Sequence, residues 1–137
     1  MRSRIRKAAT IGATLALAMS GAVLAAAPAS AATSCYASSC NGLDPASTTC
    51  ANDAITVSTN TTLELRYSPS CRAAWGRIKQ YTIPGETVKV TNSIGQSYST
   101  TTATGHVTIW SPMVNDKDLK STARDETSNG WQETDSY

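Results

Sequence analysis

No phenylalanine occurs in these 137 residues, histidine occurs once, and charged side chains make up only 16% of the chain. Each shortage closes off a class of function. With a single histidine, His106, the chain has no imidazole cluster for a metal and no spare base to set beside a nucleophile. His106 stands in TGHVTIW, at the expected start of a strand, and no G-x-S-x-G elbow accompanies it, so it reads as an exposed or hydrogen-bonded side chain. Phosphate-cradling loops and dinucleotide fingerprints are missing as well. Glu64 and Glu86 would serve as paired acids only across a cleft of roughly 5–9 Å, which a domain this small rarely builds. The run NDKD, Asn115–Asp118, lacks the turn glycine and trailing glutamate of a calcium loop. The expectation is a non-enzymatic protein with no cofactor and no metal.

Basic residues are scarce too, once their positions are considered. Of twelve Lys and Arg, four (Arg2, Arg4, Arg6 and Lys7) precede the apolar run IGATLALAMSGAVLAAA, which leads into APASA with small residues at Ala29 and Ala31. A basic head, an apolar middle and a small-x-small exit form a secretory signal peptide over residues 1–31, with cleavage after Ala31. The run is short and alanine-rich for a resident span and has no charged stop beyond it. Residues 32–137 then act outside the cell, free of the membrane, with eight basic side chains against ten acidic ones, a net charge of −2. No Lys/Arg cluster remains to neutralise a run of phosphates, which excludes nucleic acid as a partner.

What the exported part does have is four cysteines, Cys35, Cys40, Cys50 and Cys71, in about a hundred residues. In an oxidising compartment four thiols read as two disulfides. The spacing offers no C-x2-C knuckle for zinc. Three pairings are possible and the sequence leaves them open. Each bridge is worth about 2–4 kcal/mol, comparable to the whole stability of a small domain.

Residues 32–60 are Ser, Thr, Ala, Asn and Cys with turn chemistry at Asn41-Gly42 and Asp44-Pro45, and they read as a Cys-rich loop segment stapled to the rest. Residues 61–125 carry alternating runs, TLELRYS, ETVKVTN and HVTIW, with QSYSTTTAT and DLKSTARD as weaker strands, separated by Gly and Pro turns. Residues 126–137 read as a polar tail. The fold class is all-β: a small disulfide-stapled antiparallel β-sandwich or barrel preceded by the loop segment.

The densest stretch, ELRYSPSCRAAWGRI (Glu64–Ile78), reads as a hairpin turning at Pro69-Ser70, which sets Tyr67 opposite Arg72, Leu65 opposite Ala74 and Leu63 opposite Gly76. Leu63, Leu65, Tyr67, Ala74 and Ile78 then share one face, and Glu64, Arg66, Trp75, Arg77 and Lys79 the other. On the second face Glu64 pairs with Arg66 or Arg77, and a guanidinium can lie over Trp75. That face is either a charged ladder around a half-buried indole or a ligand platform of Arg66, Trp75 and Arg77. Cys71, at the turn, is placed to tie the hairpin to the N-terminal loop.

The order Cys35, Cys40, LDP, Cys50, NDA and then ELRYSPSCRAAWGRI resembles the domain-of-unknown-function family 2690 (DUF2690), over roughly residues 35–90. The matching positions are Cys35, Cys40, Asp44, Pro45, Cys50, Glu64, Arg66, Tyr67, Cys71, Trp75 and Arg77. The resemblance implies an actinobacterial, exported protein and no catalytic role. Some members follow helix-turn-helix modules; no such segment stands in this sequence, so a role through DNA is not carried over. Two functions follow: a binding module for a cell-wall polysaccharide or an extracellular protein, or a small hydrolase inhibitor presenting the loop Asn41–Thr49.

Overall fold

Alternation of apolar and polar residues builds two antiparallel sheets in the computed structural model, which describes residues 31–137. The expected signal peptide lies, but for its last residue, outside the described residues. The first sheet holds β1 (Ile55–Asn60), β2 (Leu63–Ser68), β3 (Ala73–Ile78), β6 (Ile109–Trp110) and β7 (Val114–Asn115). The short β6 and β7 share the far edge of β3. The second sheet runs β5 (Ser97–Thr101), β4 (Thr87–Asn92), β8 (Ser121–Thr127), β9 (Gly130–Glu133). Leu63, Leu65, Tyr67, Ala74 and Ile78 of the first sheet pack against Val88, Val90 and Ala123 of the second, and this layer is the main core. The all-β, disulfide-stapled sandwich expected from the sequence is what forms. No helix of the described residues is long and apolar enough to cross a membrane.

Gly76 fixes how closely the sheets approach. It faces β4 and β8, and a Cβ there would lie 2.8 Å from Val88 Cγ2 and 3.2 Å from Ala123 Cβ. The strand therefore needs a residue without a side chain at that inward position.

The β2–β3 hairpin keeps the two expected faces with a different register. Ser68 pairs with Ala73, Tyr67 with Ala74, Leu65 with Gly76 and Leu63 with Ile78, so the connection is the four residues Pro69–Arg72 instead of a two-residue turn. The shift is two residues, which preserves which side chains face inward. Asp53 fixes the longer loop: its carboxylate accepts from Ser68 Oγ at 2.6 Å and from the Ser70 N–H at 2.8 Å.

Three further expectations are corrected. The segment 32–60 is more than a loop, since it holds three short 3-10 helices (Ala37–Cys40, Pro45–Ser47, Thr49–Asp53) and ends in β1. Its helices carry no apolar period because their contacts are made by disulfides and backbone groups. The tail is not merely polar: Glu126 and Thr127 end β8, β9 follows, and the Tyr137 backbone exchanges hydrogen bonds with Ser121 at 3.0 and 3.1 Å. His106 does not start a strand; it is exposed in a turn at φ 58°, and only Ile109–Trp110 of its run pairs.

Candidate functional site

The outward face of the β2–β3 hairpin is covered by the N-terminal segment. Cys50 is bridged to Cys71 at the hairpin end, Cys35 is bridged to Cys40, and no cysteine is free. These sulfurs pack with Ala73, Trp75 and Met113 in a second apolar cluster, against which Leu43, Ala54 and Trp110 also lie. Backbone bonds hold the cover in place: Ala37 N–H to Cys71 O at 2.7 Å, Gly42 N–H to Met113 O at 2.9 Å and Met113 N–H to Leu43 O at 2.8 Å. Trp75 is consequently 4% exposed. Its indole is an interior side chain, where the ligand-platform reading required an open one.

The cover leaves a groove. Pro45, Ala46, Ala51 and Ala54 of the cover line it together with Arg66, Trp75 and Arg77 of the hairpin and Trp110, around about 180 Å³. All three residues singled out in the sequence, Arg66, Trp75 and Arg77, thus meet in one hollow. Asp44 positions the boundary: its Oδ1 accepts from Trp110 Nε1 at 2.8 Å and from the Ala46 N–H at 2.9 Å. On the other side of Trp110 lies a wider hollow of about 380 Å³, lined by Asp44, Thr100, Thr108, Ile109 and Pro112. It holds a carboxylate and hydroxyls but no cation, so the chemistry concentrates in the smaller groove.

The two arginines there are held differently. Arg77 donates through Nε to Glu64 at 2.6 Å, and Lys79 reaches the other Glu64 oxygen at 3.1 Å. Burial works to raise the Glu64 pKa, but the bonds and charges of Arg77 and Lys79 outweigh it and hold the carboxyl below its ordinary range. Arg66 has no acidic partner; its Nη1 donates to Thr56 Oγ1 at 2.7 Å and its Nη2 to Ala54 O at 3.0 Å. Its Nε is buried with no partner. Burial first, and the nearby Arg77 charge second, lower the Arg66 pKa from its ordinary value, with Glu64 opposing. A guanidinium stays charged under any such shift. The outer face therefore sets three cations against one carboxylate.

Sequence reasoning chose Arg77 or Arg66 as the partner of Glu64, and the partner is Arg77. It allowed a guanidinium over Trp75, whereas the guanidinium–indole contact among the described residues is Arg124 over the exposed Trp131, 4.4 Å from the ring centroid. The alanines that line the groove, Ala46, Ala51 and Ala54, carry no signal in the sequence, and the contact of Asp44 with Trp110, 66 positions away, is not legible there either.

The model of a family described as a protein of unknown function (DUF2690) matches residues 38–124. No curated protein and no solved structure matches the chain. The chain belongs to this family.

Proposed function

Starting from membership of a family of unknown function, we propose that the chain is an exported, non-enzymatic binding module of the actinobacterial envelope or medium. Its ligand surface is the groove between the N-terminal cover and the hairpin, and its ligand is a carboxylate-bearing cell-wall polysaccharide. The observation that carries this reading is the convergence of Arg66, Arg77, Trp75 and Trp110 on one small hollow with alanine and proline walls. Arg66 brings a positive charge with no acidic hydrogen-bond partner, and the bond of Arg77 to Glu64 runs through its Nε. Guanidinium groups bind carboxylates through two parallel N–H donors, and an indole edge offers apolar contact to a sugar ring. The two disulfides suit an oxidising, extracellular setting.

The inhibitor reading asks Asn41–Thr49 to stand out as a rigid loop. Pro45 and Thr48 are buried and Asp44 is committed to Trp110, so the segment serves better as a wall than as a projection. An extracellular protein partner would bury a larger surface than this hollow offers.

Calorimetric titration with a uronate-bearing polysaccharide and with the same polymer after reduction of its carboxyls tests the proposal. Binding of the acidic polymer that weakens with salt, and no binding of the neutral one, is the expected result. Equal binding of both, or of neither, removes the arginines from the function.

A further inference from the structure

The sulfur atoms of Cys35, Cys40, Cys50 and Cys71 all lie within 4.8 Å of one another, and three of the four residues are buried. The two disulfides are not merely neighbours: Cys35 Sγ and Cys50 Sγ, from different bridges, are 3.4 Å apart. A tetrahedral zinc tetrathiolate has Zn–S bonds of about 2.3 Å, which places its sulfurs roughly 3.8 Å from each other. The cluster therefore already spans the volume of such a site. On reduction the bonded pairs open, Cys35 and Cys50 move apart by a few tenths of an ångström, and the remaining pairs, none more than 4.8 Å apart, need close by no more than about an ångström. The sequence spacing contains no C-x2-C knuckle and hid this convergence.

We propose that the four cysteines form a latent zinc site, occupied when both bridges are reduced and holding the N-terminal cover on the hairpin in their place. The reductant is a thiol or a phosphine. With a phosphine, each disulfide gains two electrons and two protons, and the phosphorus takes the oxygen of one water. Zinc then binds the four sulfurs as thiolates and releases four protons.

Three features of the surroundings fit. Trp75, Met113 and Ala73 pack against the sulfurs and keep the site dry. Ser70 Oγ is 4.0 Å from Cys71 Sγ, within reach of a thiolate. Cys35 is the one half-exposed member and gives reductant and metal an entry. The ligands join the segments that the bridges join, so metal binding would supply folding energy to the same contacts. The consequence is a domain that keeps its fold in either a reducing or an oxidising compartment, a property independent of what the groove binds.

The test uses the purified protein, reduced with a phosphine under anaerobic conditions and titrated with cobalt(II), then with zinc(II). Saturation at one cobalt per chain, with thiolate-to-metal charge-transfer and tetrahedral d–d bands that zinc abolishes, is expected. The near-ultraviolet circular dichroism of the tryptophans, to which Trp75 and Trp110 at the sulfur cluster contribute, should diminish on reduction and return with the metal. Cys35→Ser, which removes the most exposed ligand, should weaken cobalt binding by at least the roughly tenfold that loss of even a supporting hydrogen bond costs a metal site. No charge-transfer band at stoichiometric metal, metal uptake without return of the tryptophan signal, or a Cys35→Ser affinity equal to that of the unaltered chain would each overturn the proposal.

Discussion

Asp116 is 4% exposed, and its Oδ1 accepts from Ser121 Oγ at 2.6 Å. Burial pushes its pKa up to about 6, against the Ser121 bond and the charges of Arg72 and Lys120. A raised carboxyl pKa means that the fold prefers the protonated form. That contribution is complete below the ordinary carboxyl range and is lost as the pH rises through about 6. Stability should therefore increase by about 1 kcal/mol on going from pH 7 to pH 5, as read by urea denaturation. Glu86 is raised too, by burial first and by the neighbouring Asp125, and adds to the same trend. Asp116→Asn keeps an acceptor for Ser121 and should flatten the rise to the share of Glu86. Glu64 acts in the opposite sense: its lowered pKa stabilises above the ordinary carboxyl range and is lost as the pH falls through it. Trp75 yields a second expectation at this scale. Its indole fills the layer between disulfides and hairpin, so Trp75→Ala should cost about 3–5 kcal/mol and lower the melting point sharply.

At the scale of elements, legibility followed periodicity. The faces of β2 and β3 could be read because a period of two assigns every side chain once one is assigned, and a two-residue slip leaves that assignment intact. The loop length could not be read. Pro69-Ser70 suits a tight turn, but the Asp53 carboxylate, from another element, fixes a wider one. The 3-10 helices escaped for the same reason, since their order comes from bridges and backbone bonds to β3 and the Met113 region. QSYSTTTAT and DLKSTARD read as weak strands because serine and threonine dominate them. Yet β8 lies centrally, with Ser121, Ala123 and Asp125 buried on its inner side. Gly76 gives the sharpest test of how the sheets pack. Gly76→Ala puts a methyl 2.8 Å from the buried Val88 and should destabilise by about 1–3 kcal/mol in denaturant unfolding.

For the whole molecule, composition and cysteine count were enough for an all-β domain held by two bridges, and the resemblance was enough for its family. The placement of charge was legible only in part. Arg66, Trp75 and Arg77 could be put on one face, but that Trp75 lies beneath a cover and the arginines flank a groove depends on contacts between residues 44–54 and 110, far apart in the chain. The central claim is that this groove, and not an open indole platform, is where the protein binds. Ala46 tests it most directly, because it is exposed on the groove wall and its side chain supports no core contact. Ala46→Glu adds a carboxylate to the groove that Arg66 and Arg77 line and narrows the hollow at once. Titrated with the uronate-bearing polysaccharide, the variant should lose binding at least about tenfold, while its stability stays within about 0.5 kcal/mol of the unaltered protein. Undiminished binding by a folded Ala46→Glu protein would contradict the account.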